Sequence, residues 1–134
     1  MRLLVDTNII LEIILEQEKV KEAQALLAHT TRHEFFITDY SLHSIGLILF
    51  HRKKHRVYRD FINDMIGHAG MAVIQLTIED IESIIKPAQK YDLDFDDAYQ
   101  YAAAEKYDLC IVSFDTDFDR TDRRRQTPAD IVKG

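Results

Sequence analysis

The chain has 134 residues, 46% of them hydrophobic and 30% charged, with four glycines and two prolines; this is the composition of one ordinary globular domain, residues 1–134, with no linker. Its formal net charge of −6 argues against binding nucleic acid through bulk positive charge, although bound divalent cations would offset part of it and leave a local surface open to phosphates. No run reaches the ~20 apolar residues of a membrane span and no signal-peptide pattern precedes the first strand, so a cytoplasmic protein is expected.

The first element is a short, almost continuously apolar strand at Arg2–Val5, ending on Asp6, as expected of a strand covered on both faces. A helix with the stripe Leu11, Ile14 and Leu15 follows, then a second carrying Val20, Ala23, Leu26 and Leu27. The second strand is Glu34–Thr38, and a third helix presents Leu42, Ile45, Leu49 and Phe50. The basic run His51-Arg52-Lys53-Lys54-His55-Arg56 interrupts the pattern before an amphipathic helix over 57–66. A solvated face or turn is its default reading, with phosphate contact through Arg52, Lys53, Lys54 and Arg56, or a partner interface, as the alternative. The same two readings apply to Arg120 with Arg123, Arg124 and Arg125.

The third strand is read at 71–76, and Thr77 caps a helix that turns Ile81, Ile84 and Ile85 inward. Asp94 opens the next helix, with Phe95, Ala98, Tyr101 and Ala102 on its packing side. The fourth strand, 109–113, contains the lone Cys110, read as a buried, inert thiol. Pro128 starts either a short helix or an edge strand. No internal repeat is evident.

Strands alternating with helices predict an α/β fold with a central parallel sheet covered by helices on both faces. Right-handed crossovers then bring strand C-termini and the N-termini of returning helices to one edge, the crevice where open α/β sheets bind ligands. Asp6 and Asp115 follow strands at that edge, and Asp97 lies in the first turn of the helix feeding the last strand. Carboxylates gathered this closely repel one another and take up cations. Oxygen donors without paired His or Cys favour Mg²⁺ or Mn²⁺, which suit in-line attack on a phosphodiester. Asp6, Asp97 and Asp115 are the expected ligands, with Asp117 a fourth. No candidate nucleophile lies beside a His base, which favours an activated water over a covalent intermediate.

Leu3-Leu4-Val5-Asp6-Thr7-Asn8, Asp96-Asp97-Ala98 and Ile111-Val112-Ser113-Phe114-Asp115-Thr116-Asp117-Phe118, in this order and spacing, resemble the PIN domain, including the toxin ribonucleases of the VapC type. The resemblance runs from Arg2 to about Val132. It implies a three-layer α/β/α fold, Mg²⁺- or Mn²⁺-dependent cleavage of RNA, and often the role of toxin beside an antitoxin protein. It further implies that Asn8 or Thr7 positions the first acid and that Ser113 supports the last. At one position the chain departs from the family. Members commonly carry a Glu in the helix after the second strand, and Ser44 stands there, able to hold a water but adding no charge unless Asp117, Asp94 or Asp96 substitutes.

These readings leave a metal-dependent ribonuclease as the first expectation and a degenerate PIN domain that binds RNA or protein without cutting as the alternative. A phosphatase or receiver of the doubly wound class is disfavoured, because Asp115-Thr116-Asp117 lies too near the C-terminus. Apolar-striped helices on a small domain, together with the family habit, predict a homodimer.

Overall fold

The computed structural model describes residues 1–28 and 32–133. Four strands, β1 (Arg2–Val5), β2 (Glu34–Thr38), β3 (Ala72–Ile74) and β4 (Cys110–Val112), form a parallel sheet in the order β3-β2-β1-β4. Leu3 is in register with Phe35 and Cys110, and Phe36 with Ala72. Starting from β1, the chain builds outward through β2 to β3, then crosses back to lay β4 on the other side of β1. The order therefore reverses between β1 and β4, and that reversal opens a crevice at their C-terminal ends.

Alternation along the strands divides the core in two. Leu3, Val5, Phe35, Ile37 and Val112 face one layer, built from α1 (Thr7–Ile14), α2 (Val20–Leu27), α3 (Asp39–His51), α4 (His55–Phe61) and α7 (Pro128–Lys133). Leu4, Ile74 and Ile111 face the other, built from α5 (Ile81–Tyr91) and α6 (Phe95–Tyr107). The three-layer α/β/α architecture is the expected one. No helix among the described residues is long and apolar enough to cross a membrane.

Both outer strands are shorter than read from sequence. Beyond Ile74 the chain leaves the ladder, and the Leu76 N–H bonds the Tyr99 hydroxyl at 2.9 Å instead of a neighbouring strand. At the other edge Gln126 makes a single parallel bridge to Val112 before α7 begins at Pro128. Of the two alternatives at Pro128, the short helix is the one formed.

Periodicity misplaced several apolar side chains. Phe50, Ile81, Ile85 and Phe95 are exposed, while Ile9 and Ile10 rather than Leu11, Ile14 and Leu15 form the buried row of α1. The helix α5 packs chiefly on α6, so one row, Ile84 and Pro87, is covered and the flanking isoleucines are left outside. The helix expected over 57–66 is α4 followed by a π-helical stretch, Ile62–His68.

Two short segments alike at five of six positions, too brief to register as an internal repeat, stop the last two long helices. Ala88-Gln89-Lys90-Tyr91-Asp92-Leu93 and Ala104-Glu105-Lys106-Tyr107-Asp108-Leu109 each place Asp in the left-handed region, at φ 55° and 54°, which Asp tolerates better than most residues. The following Leu buries its side chain and returns its N–H to the Ala carbonyl, at 3.0 Å for Leu93 and 2.9 Å for Leu109. The second of these caps ends α6 directly before β4.

Candidate metal centre

Asp6 leaves β1 with its N–H still bonded to the Val112 carbonyl at 3.0 Å, so its side chain starts in the β1–β4 crevice. The carboxylate is buried, 5% exposed, and both oxygens are occupied. Oδ1 accepts from the Thr7 N–H at 2.7 Å and Gln100 Nε2 at 2.5 Å, and Oδ2 accepts from Ser113 Oγ at 2.5 Å. Burial pushes the Asp6 carboxyl above the usual carboxylate range and Asp115 adds to the rise, while the bonds from Ser113, Gln100 and Thr7 oppose it.

Ser113 is the hub between the two loops. Besides donating to Asp6, its hydroxyl accepts from the Asp115 N–H at 2.9 Å and from Asn8 Nδ2 at 3.3 Å. Asn8 Oδ1 accepts the Phe114 N–H at 3.3 Å. The side chains of Asn8 and Ser113 thereby pin the segment after β4 to the segment after β1.

Asp97, in the first turn of α6, is equally buried at 5% exposed. Its carboxyl is pushed up to about 8, first by burial and then by the charges of Asp115, Asp96, Asp6 and Asp117. Asp115 caps the 3₁₀ turn Thr116–Arg120, its Oδ1 accepting the Asp117 N–H at 2.8 Å. Carboxylate oxygens of Asp97, Asp115 and Asp117 lie within 4.8 Å of one another, and so do those of Asp94, Asp96 and Asp97. Asp6 stands outside both trios, although its charge acts on Asp97.

This donor set fits a hard divalent cation. It is all oxygen, its acids act against one another's ionisation at Asp97, and no His or Cys joins either trio. A further buried oxygen is uncompensated: Gln100 Oε1 is the one buried side-chain polar atom without a partner among the described residues. Such an orphan costs about 1–3 kcal/mol.

Ser41, one turn before Ser44 on α3, is joined to the segment after Asp6 through Thr7. It is fully buried, accepting from Thr7 Oγ1 at 2.8 Å and Thr38 Oγ1 at 3.2 Å. Ser44 is half-buried, and among the described residues no hydrogen bond links it to an acid.

The basic run after α3 sits away from the acids, whereas Arg120 reaches them through Asp117. Arg52, Lys53, Lys54 and Arg56 are exposed around the far end of α3 and the start of α4, about 20 Å along the helix from the acidic edge. Arg120 directs its guanidinium to the carbonyls of Tyr91 (3.1 Å) and Asp92 (2.7 Å) and to Asp117 Oδ1 (3.0 Å). Arg123 and Arg125 likewise bond backbone carbonyls while pairing with Asp108 and Asp119. These three arginines tie the last loop to the chain segments that follow α5, α6 and β4.

Sequence reading missed Gln100 and Ser41. Gln100 did leave a signal: it is the one polar side chain in the run Ala98-Tyr99-Gln100-Tyr101-Ala102, three residues after Asp97 and so on the same helical face.

The family model described as PIN domain matches residues 3–124. No curated protein matches in sequence. Among solved structures, a toxin-antitoxin complex from Klebsiella pneumoniae has a chain that superposes with a TM-score of 0.70 at 22% identity, covering 93% of this chain and 96% of that one. VapBC2 from Rickettsia felis, bound to a DNA fragment from their promoter, gives 0.72 at 13% identity, with 93% and 96% covered. FitAcB from Neisseria gonorrhoeae gives 0.71 at 18% identity, with 95% and 98% covered. At such identities the likeness is one of fold.

Proposed function

The chain belongs to the PIN domain family, and from that premise we propose that it is a divalent-metal-dependent ribonuclease, the toxin of a toxin–antitoxin pair. The observation that carries the reading is the convergence of Asp97, Asp115 and Asp117 within 4.8 Å, beside buried Asp6. Asp97, Asp115 and Asp117 would hold Mg²⁺ or Mn²⁺, with Asp6 bound directly or through water. When bound, the ions supply an activated water and charge neutralisation for attack on an RNA phosphodiester.

The chain's own residues do the positioning. Thr7, Gln100 and Ser113 hold the Asp6 carboxylate in one orientation, Ser113 and Asn8 fix the Asp115 loop, and Arg120 anchors Asp117. Asp117 provides the charge that Ser44 does not.

Two apolar patches are available to partners: Ile78, Ile81, Ile85 and Phe95 on one side, Leu47 and Phe50 on another. The toxin–antitoxin assemblies among the solved relatives support an antitoxin on one of them, and a second copy of the chain is the proposed occupant of the patch at α5. A second reading, an RNA- or protein-binding PIN domain that does not cut, is favoured by Ser44 alone.

Incubating the purified chain with a panel of RNAs in Mg²⁺ or Mn²⁺ separates the two. Metal-dependent cleavage that chelation stops and that Asp6→Asn and Asp97→Asn abolish is expected. A wild type that cuts nothing with either metal would move the assignment to the binding module.

A further inference from the structure

Gln100 is buried against Asp6, beside the acidic trio, without being an acid itself. It is 1% exposed and lies one turn beyond Asp97 on the same face of α6. Its Nε2 donates to Asp6 Oδ1 at 2.5 Å. A carboxylate only accepts hydrogen bonds, so the amide nitrogen has to face Asp6; turning the amide over would set two acceptors against each other. The carbonyl oxygen is thereby committed to the other side, where it has no partner among the described residues. Buried polar groups are almost always satisfied. The charged side chains gathered here, Asp6, Asp97 and Asp115, are acceptors themselves when ionised, so what completes Gln100 is either a cation or a group that carries its own hydrogens.

We propose that Gln100 is a positioning residue of the cation centre: its amide nitrogen holds Asp6 in place, and its carbonyl oxygen is a neutral acceptor for the hydration shell of a divalent cation held by Asp97, Asp115 and Asp117. This inference rests on the metal reading above. A neutral oxygen adds an acceptor without adding negative charge to a crowded set of acids. It thus gives the centre one more polar contact where Ser44 gives no charge.

The test is a calorimetric titration of Mn²⁺ alone into the wild type and Gln100→Leu, with melting temperatures of both recorded with and without Mn²⁺. Gln100→Leu is expected to melt close to the wild type in the absence of metal yet to bind Mn²⁺ about 10- to 100-fold more weakly, the usual effect of losing a group that orients metal ligands. Wild-type affinity in a folded Gln100→Leu overturns the inference and leaves the metal centre standing. Absence of Mn²⁺ binding by the wild type overturns the metal reading and this inference together. If Gln100→Leu does not fold, Gln100→Glu decides, since it keeps the size and the oxygen but sets a carboxylate against Asp6. Its melting temperature is expected to rise more on adding Mn²⁺ than that of the wild type, and an equal or smaller rise contradicts the proposal.

Discussion

Burial and the neighbouring acids hold the Asp97 carboxyl in its protonated form, and the sign of that effect is testable without any substrate. Its carboxyl titrates at about 8 in the folded chain, against an ordinary value of 3.8. Between those values the folded state keeps a proton that the unfolded chain has released, so this group makes stability fall as pH rises. Urea midpoints of the metal-free protein should therefore decline from about pH 4 to about pH 8, and Asp97→Asn should flatten that decline; an unchanged slope in Asp97→Asn would exclude the carboxyl as its source. At this scale, the acids Asp6, Asp97 and Asp115 were legible because each follows a recognisable strand or helix start. Gln100 and Ser41 were not, because their roles lie in which atom meets which across 94 and 34 residues of chain.

Among the elements, α6 does most to organise the site. Tyr99 joins it to the rest: the hydroxyl donates to Asp39 at 2.7 Å, at the start of α3, and accepts from Leu76, just after β3, at 2.9 Å. Burial and the bond to Asp39 push the phenol up to about 12, so it remains a donor throughout the working pH range. Tyr99→Phe should cost about 1–3 kcal/mol, read from urea unfolding, because it leaves the Leu76 N–H without its acceptor and removes one of the two donors on Asp39 Oδ1. Helix and strand identities were readable from periodicity, since β1 and β2 are short apolar runs and Thr77 does open a capped turn before α5. Which face of each helix is covered was not. The side chains of Ile81 and Phe95 are apolar and correctly spaced, but periodicity reports hydrophobicity and cannot report what packs against it.

For the whole molecule, the strand order β3-β2-β1-β4 explains why residues far apart in sequence share one crevice. The parallel sheet followed from alternating strands and helices; the reversal beside β1 depends on long-range pairing that no local pattern encodes. The patch of Ile78, Ile81, Ile85 and Phe95, with Phe95 56% exposed, has the character of a surface that another chain covers. Sedimentation should give twice 15.7 kDa, and Ile81→Glu should restore the monomer; a wild type sedimenting as a monomer would remove the homodimer. Everything proposed for the chemistry of this molecule turns on a divalent cation held by Asp97, Asp115 and Asp117 beside Asp6. Anomalous diffraction from crystals grown with Mn²⁺ tests it most directly: a manganese peak among these three carboxylates is the predicted result, and ordered acids with no peak between them would contradict it.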